Sequence, residues 1–216
     1  MSRIVVIGNA GGGKSTLSRK LATARGLRHI EIDRLLWQEG WTLTPPDVYT
    51  RQHEAVIASD DWLFDGLGQQ SSIPPRIARA TEVILIDLPL WMHFWLAAER
   101  QMAWAAGTLD QPPAGISDMP PTKALFQSIW DVDRNWMVGV RRLCDEAESL
   151  GKTVVRLRDL SDIDRFAQRD LRFGGRERPA RMPAQRQSQT NPGKTRAIAG
   201  PAMAASPVSH RMDPGS

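Results

Sequence analysis

The stretch Gly8-Asn9-Ala10-Gly11-Gly12-Gly13-Lys14-Ser15-Thr16 restricts the folds open to this chain more than any other feature. It follows the apolar run Ile4-Val5-Val6-Ile7 and precedes Leu17, Leu21 and Ala24, which recur at helical spacing. Glycine, four residues, glycine, lysine and a hydroxyl residue form the pattern of a phosphate-binding loop. Glycines let successive backbone N–H groups converge on an anion, and the helix that follows adds its positive N-terminal end. The pattern therefore predicts a nucleoside triphosphate site, with ATP as the ligand. Gly8, Gly11, Gly12, Gly13, Lys14, Ser15 and Thr16 would hold the phosphates, and Ser15 would also hold Mg2+. The alternative is a glycine-rich turn that happens to contain a lysine.

With 216 residues the chain can bury one sizeable core and carry an appendage. Cys144 is the single cysteine, so a disulfide framework or a cysteine zinc site is excluded. No apolar run is long enough to span a bilayer, and Met1-Ser2-Arg3 leads directly into a core strand, so a cytoplasmic protein is expected. The net charge is +4, but residues 174–216 carry seven basic residues against Glu177 and Asp213. That is a surplus of five, which leaves −1 on residues 1–173. The domain itself thus lacks the charge of a nucleic-acid-binding surface. Prolines at 179, 183, 192, 201, 207 and 214, with few large apolar residues, predict a disordered basic tail over 174–216, able at most to touch nucleic acid weakly.

Five short apolar runs, at 3–7, 28–32, 61–64, 82–86 and 152–157, alternate with helix-like segments at 14–25, 47–58, 91–105, 123–150 and 161–171. Alternation of this kind predicts an α/β fold with a parallel sheet flanked by helices. Asp33, Asp65 and Asp87 follow or end strands, at the edge where such sheets bind ligands. Asp33 can orient a substrate hydroxyl or a metal-bound water, or merely open a short helix; Asp65 and Asp87 are both candidates for the magnesium-facing acid. Arg76 and Arg79 can reach an anionic substrate or lie on a solvated face. Trp37 and Trp41 fit a ligand edge or an insertion wedge equally well. Trp91, Trp95, Met102 and Trp104 read as packing residues, as does Cys144. Gly107 to Pro121 is rich in glycine and proline and suits a lid at about 107–122, near Arg100. In the long helix at 123–150, Arg134 and Arg141 stand seven residues apart on one face, where a closing lid helix could swing an arginine onto a transferring phosphoryl group. The four histidines show no metal-ligand spacing and receive no role.

These motifs resemble the adenylate-kinase-related P-loop proteins often called DNA topology modulation protein, FlaR. The resemblance covers residues 3–170 and is carried by the phosphate loop, Ile32-Asp33, Trp37-Gln38-Glu39-Gly40-Trp41, Trp62-Leu63-Phe64-Asp65-Gly66 and Ile84-Leu85-Ile86-Asp87-Leu88-Pro89. It implies a P-loop NTPase fold in the nucleoside-monophosphate-kinase arrangement, a five-stranded parallel sheet whose phosphate-loop strand lies between the strands ending in Asp65 and Asp87. Asp65-Gly66 is similar to the start of the Asp-Gly-Phe-Pro-Arg motif of adenylate kinases, which favours Asp65 as the magnesium-facing acid. Leu67-Gly68-Gln69 stand in place of Phe-Pro-Arg, and Gly107 to Pro121 holds no arginine.

The expected activity is phosphoryl transfer from Mg-ATP to a nucleotide or another small acceptor. Lys14, Asp33, Arg100 and Arg134 form the catalytic set, and Ser15 and Asp65 the metal set. The competing expectation is an ATP-dependent binding module with little kinase activity, in which nucleotide occupancy exposes a surface for a partner.

Overall fold

The five apolar runs become one parallel sheet. The computed structural model describes residues 1–109 and 119–173. The strands of the sheet are β1 (Arg3–Gly8), β2 (Arg28–Glu31), β5 (Trp62–Asp65), β6 (Glu82–Ile86) and β7 (Thr153–Leu157), in the order β2-β5-β1-β6-β7. All neighbours pair parallel. The helices are α1 (Lys14–Arg25), α2 (Asp33–Leu36), α3 (Pro46–Ile57), α4 (Ile73–Arg79), α5 (Leu90–Ala105), α6 (Thr122–Asn135), α7 (Met137–Ser149) and α8 (Leu160–Phe173). Two-residue strands β3 (Trp37–Gln38) and β4 (Thr42–Leu43) make a small antiparallel hairpin after α2. The phosphate-loop strand β1 lies between β5 and β6, so the chain has the expected P-loop α/β architecture.

Residues buried on both faces explain the continuous apolar runs. Successive β1 side chains point to opposite faces, so Val5 and Ile7 enter one core with Trp62, Phe64, Tyr49, Ile77 and Val140. Ile4 and Val6 enter the other core with Leu17, Leu21, Leu63, Ile84 and Phe166. Three layers result, helix on sheet on helix. Away from the ligand edge, Arg25 near the end of α1 pairs with Glu82 at the start of β6 and with Asp170 on α8. This cluster fastens the bottom of the sheet and leaves the carboxyl ends of the strands for chemistry.

The expected single helix at 123–150 is two helices that meet at Trp136. The two halves serve different neighbours. In α6, Phe126 stacks on Phe94 of α5 with ring centroids 5.4 Å apart, while α7 buries Met137, Val140, Cys144 and Ala147 in the core that also holds Ile77 of α4. The packing expected of Trp91, Trp95 and Met102 also differs, since these side chains are exposed. The buried face of α5 is instead His93, Ala97 and Gln101. Cys144 is buried as expected, and burial pushes its thiol up to about 11. The expected lid falls mostly on residues 110–118, and the expected tail on 174–216; both lie outside the described residues. No helix among the described residues is long and apolar enough to cross a membrane.

His53 on α3 is buried between Tyr49 and Phe64, and burial, assisted by the Arg76 charge, lowers its pKa from 6.5 to about 4. The folded chain refuses a proton that the unfolded chain accepts. The stability owed to the neutral ring is therefore complete above pH 6.5 and is lost as pH falls towards 4. Urea unfolding at a series of pH values should show a loss of about 2–3 kcal/mol across that window, and His53→Leu should flatten this part of the profile.

Candidate active site

At the end of β1 the chain turns through the glycine-rich loop into α1. Gly13 has φ 75° and ψ 9°, the left-handed conformation that L side chains resist, and it immediately precedes the helix. No side chain caps the N-terminus of α1, so its first N–H groups remain available to an anion. Gly12 is required by proximity. A Cβ there would lie 2.9 Å from Cε1 of His93 and 3.1 Å from Cγ2 of Ile86. His93, given no role from the sequence, supports the loop from below. The carbonyl of Ala10 can only accept, so Nδ1 of His93 carries the proton and donates to it over 2.8 Å. Burial, with the Lys14 charge nearby, holds the His93 ring below its ordinary pKa and thus neutral. Asn9 ties the loop to α6: its Nδ2 donates to the Ile129 carbonyl over 2.8 Å, and its Oδ1 accepts from the Ala10 N–H over 2.7 Å.

The Lys14 ammonium donates to the Asn9 carbonyl over 2.6 Å, folded back across its own loop. Burial lowers its pKa, while the charges of Asp65 and Asp33 act against that shift and Arg100 reinforces it. Asp33 shows the converse behaviour. Surrounding protein raises its pKa and Asp65 raises it further, whereas Lys14 and Arg100 lower it. Lys14 is half-buried and Asp33 and Arg100 are open to solvent, yet protein crowds all three enough to penalise their charges. The arrangement brings Lys14, Asp33, Asp65 and Arg100 within one another's fields, together with Glu31 and Arg19.

Asp65 is almost fully buried and accepts from Nε2 of His29, 3.2 Å away, when that nitrogen is protonated. His29 is the second residue without a sequence-based role that touches this cluster. Pairing of Glu31 with Asp65 sets His29 and Asp65 on the same face of adjacent strands. The alternation of His29 and Glu31 in β2 is a polar signal, but its meaning depends on β5 being the neighbour. Beyond Asp65, the turn Gly66-Leu67 is held from within by Arg76, which is fully buried. Nη2 of Arg76 donates to the carbonyls of Gly66 and Leu67 over 3.0 and 2.8 Å, and the guanidinium lies 5.4 Å from the Phe64 ring centre. Burial lowers its pKa to about 10, so it stays charged near neutrality. Arg79 donates to the carbonyls of Ile57 and Ala58.

The remaining candidates separate. Asp87 is engaged by Arg141, whose Nε and Nη2 reach Oδ1 over 2.9 and 2.8 Å. Arg134 is exposed, 4.6 Å above the Trp130 ring, at the end of α6. The boundary at Trp136 puts it on a different helix from Arg141. Arg100 is the arginine whose charge acts on Asp33. Trp37 and Trp41 meet edge to face at 5.8 Å in the hairpin that follows α2.

A hydroxyl donor at the loop (Ser15), a buried carboxylate (Asp65), uncapped helix N–H groups and a lysine suit a hard cation shared with a polyphosphate. No family model matches the chain. No curated protein matches it either. Among solved structures it is similar to a gluconokinase from Sinorhizobium meliloti 1021, at 18% identity and TM-score 0.42, over 79% of this chain and 91% of that one. It is also similar to a shikimate kinase from Acinetobacter baumannii in complex with shikimate, at 13% identity and TM-score 0.44, over 80% and 92%. A sugar kinase from Janibacter sp. HTCC2649 aligns at 17% identity and TM-score 0.35, over 66% and 98%.

The contact between Gly12 and His93 is testable without any ligand. Gly12→Ala should destabilise the fold by about 1–3 kcal/mol through overpacking. His93→Ala in the same chain should recover part of that loss, so that the two substitutions are non-additive in denaturant unfolding.

Proposed function

We propose that this chain is a Mg-ATP-dependent kinase that phosphorylates a hydroxyl group of a small acceptor held at Asp33. What supports the reading is that Lys14 at the start of α1, Asp33 at the start of α2, Asp65 at the end of β5 and Arg100 on α5 lie near enough for their charges to act on one another. A phosphate loop alone fits many nucleotide-driven machines. A second carboxylate beside the loop lysine, with its pKa raised, adds a proton acceptor to the phosphate site.

Lys14 would exchange the Asn9 carbonyl for oxygens of the β- and γ-phosphates, while the loop and α1 N–H groups, with Ser15 and Thr16, surround the remainder. Magnesium, when bound through Ser15 and Asp65, supplies charge neutralisation on the phosphates. The His29 contact fixes the orientation of the Asp65 carboxylate. Asp33 receives the acceptor proton as the new O–P bond forms and the bond to the β–γ bridging oxygen breaks, leaving ADP. Arg100, accessible and already in the field of Asp33, stabilises the charge that develops on the transferring group. Arg134 has no part in this scheme.

Incubation of the full chain with Mg-ATP and a broad panel of hydroxyl compounds, with product mass as readout, should give an acceptor one phosphoryl group heavier. Asp33→Asn should then lower kcat by about 10²–10⁴ with little change in ATP affinity. Lys14→Ala should lower kcat/KM by about 10²–10³ while circular dichroism remains unchanged. Because the Asp33 pKa is raised, kcat should fall on acidification at a pH above the usual carboxylate range. Equal ATP turnover with and without every acceptor would overturn the proposal.

A further inference from the structure

Asp33 opens α2, and the chain leaves that single helical turn through the small hairpin of β3 and β4. The hairpin is tied to the turn at both of its ends. The Trp37 N–H donates to the Asp33 carbonyl, and the Thr44 N–H donates to the Leu36 carbonyl over 2.9 Å. Leu35 and Leu36 pack inward against the core that holds Ile32 and Tyr49. Trp37 follows Asp33 by four positions, so the two residues share one side of α2, where Asp33 is open to solvent.

Across the hairpin Trp37 pairs with Leu43, which sets both side chains on one face, with Gln38 and Thr42 on the other. Leu43 is 62% exposed, and Trp37 and Trp41 are half-buried. The chain reverses through Gly40 and Trp41, both left-handed, with φ 72° and 56°. Glycine adopts that conformation without cost, whereas a bulky side chain there is a genuine outlier. The effect is to bring the Trp41 ring back to that of Trp37, edge to face, with planes at 69° and centroids 5.8 Å apart. Oγ1 of Thr42 donates to the Glu39 carbonyl over 3.2 Å and holds the reversal. A turn that only redirects the chain would carry Gly or Asn at position 41. Backbone strain of this kind gathers at ligand clamps.

We infer that Trp37 and Trp41 form the acceptor subsite, and that the acceptor is a cyclic hydroxyl compound, a nucleoside or a ring-form sugar, whose ring face lies against the tryptophans while its hydroxyl meets Asp33. The inference rests on the kinase reading above and deepens it by naming the substrate class. Nucleobases and the C–H faces of sugar rings share the chemistry that matters here, a broad and weakly hydrated face that leaves water on contact with an indole. An open-chain polyol has no such face. Because the Trp37 backbone is bonded to Asp33, a ring seated on the tryptophans is also held in a fixed relation to the carboxylate, so the contact orients the reacting hydroxyl as well as adding affinity.

The test uses the full chain with Mg-ATP and three acceptor sets: nucleosides, ring-form sugars and open-chain polyols. Product mass and kcat/KM are measured for each. A member of one cyclic set should be phosphorylated, which identifies the source of the ring, with open-chain polyols at least about tenfold poorer in kcat/KM. Trp41→Gly removes the ring and relieves the backbone together, so it should raise the acceptor KM about tenfold while kcat, the ATP KM and the urea midpoint change little. Trp37→Ala should raise the acceptor KM likewise, and Trp37→Phe, which keeps a ring, should hold it within about threefold of the parent value. An open-chain polyol used as well as any cyclic compound would overturn the inference and leave the kinase reading intact. So would an unchanged acceptor KM in the Trp41→Gly chain, the result expected if this tryptophan only wedges the hairpin. Failure of all three sets with ATP still bound would overturn both.

Discussion

The seating of the first turns of α5 against the underside of the glycine-rich loop is the contact on which the site depends. His93 and Ala97 occupy space that side chains at Gly11 and Gly12 would otherwise fill, and the Ala10 carbonyl is held by the His93 ring. With that peptide oxygen bound below, its neighbours are left to present N–H groups on the ligand side. The loop is thus shaped from outside as well as by its own glycines. Asn9 extends the same support to α6, so the loop is tied to both helices that flank residues 106–121.

The acidic side of the site is arranged on a comparable principle. Asp65 ends a central strand and is nearly inaccessible, a costly place for a carboxylate unless partners satisfy it. His29 supplies one contact, and Lys14 contributes a favourable field. The turn that follows has its carbonyls bound by Arg76, whose charge is in turn favoured by Tyr49 and Asp65. The Tyr49 hydroxyl accepts from the Gln69 N–H and bonds Ser72, which itself donates to the Gln69 carbonyl. Arg76 thus gives the acid-bearing turn a defined shape.

The fastening ion pairs and the crowded charges occupy opposite edges of the sheet. The Arg25, Glu82 and Asp170 cluster joins α1, β6 and α8 at the amino ends of the strands, while the crowded charges lie at the carboxyl ends. Burial opposes the charged forms of both Lys14 and Asp33.

The five strands, the phosphate loop and the placement of Asp33 and Asp65 at strand ends were legible in the sequence, because they depend on local periodicity and on a contiguous motif. Lys14 and Asp33 could be paired in expectation for the same reason. The sequence could not show that β2 lies beside β5, and so could not reveal His29 as the neighbour of Asp65. Nor could it separate Arg134 from Arg141, since one amphipathic stripe ran through both future helices. Their division at Trp136 follows from the demands of two packing partners, α5 and the central core. The exposed tryptophans of α5 misled for a related reason: close approach to a glycine backbone selects His93 and Ala97 over larger apolar side chains. Local chemistry is written in neighbouring residues. Which charges meet, and which are spent within the fold, is decided by non-local packing alone.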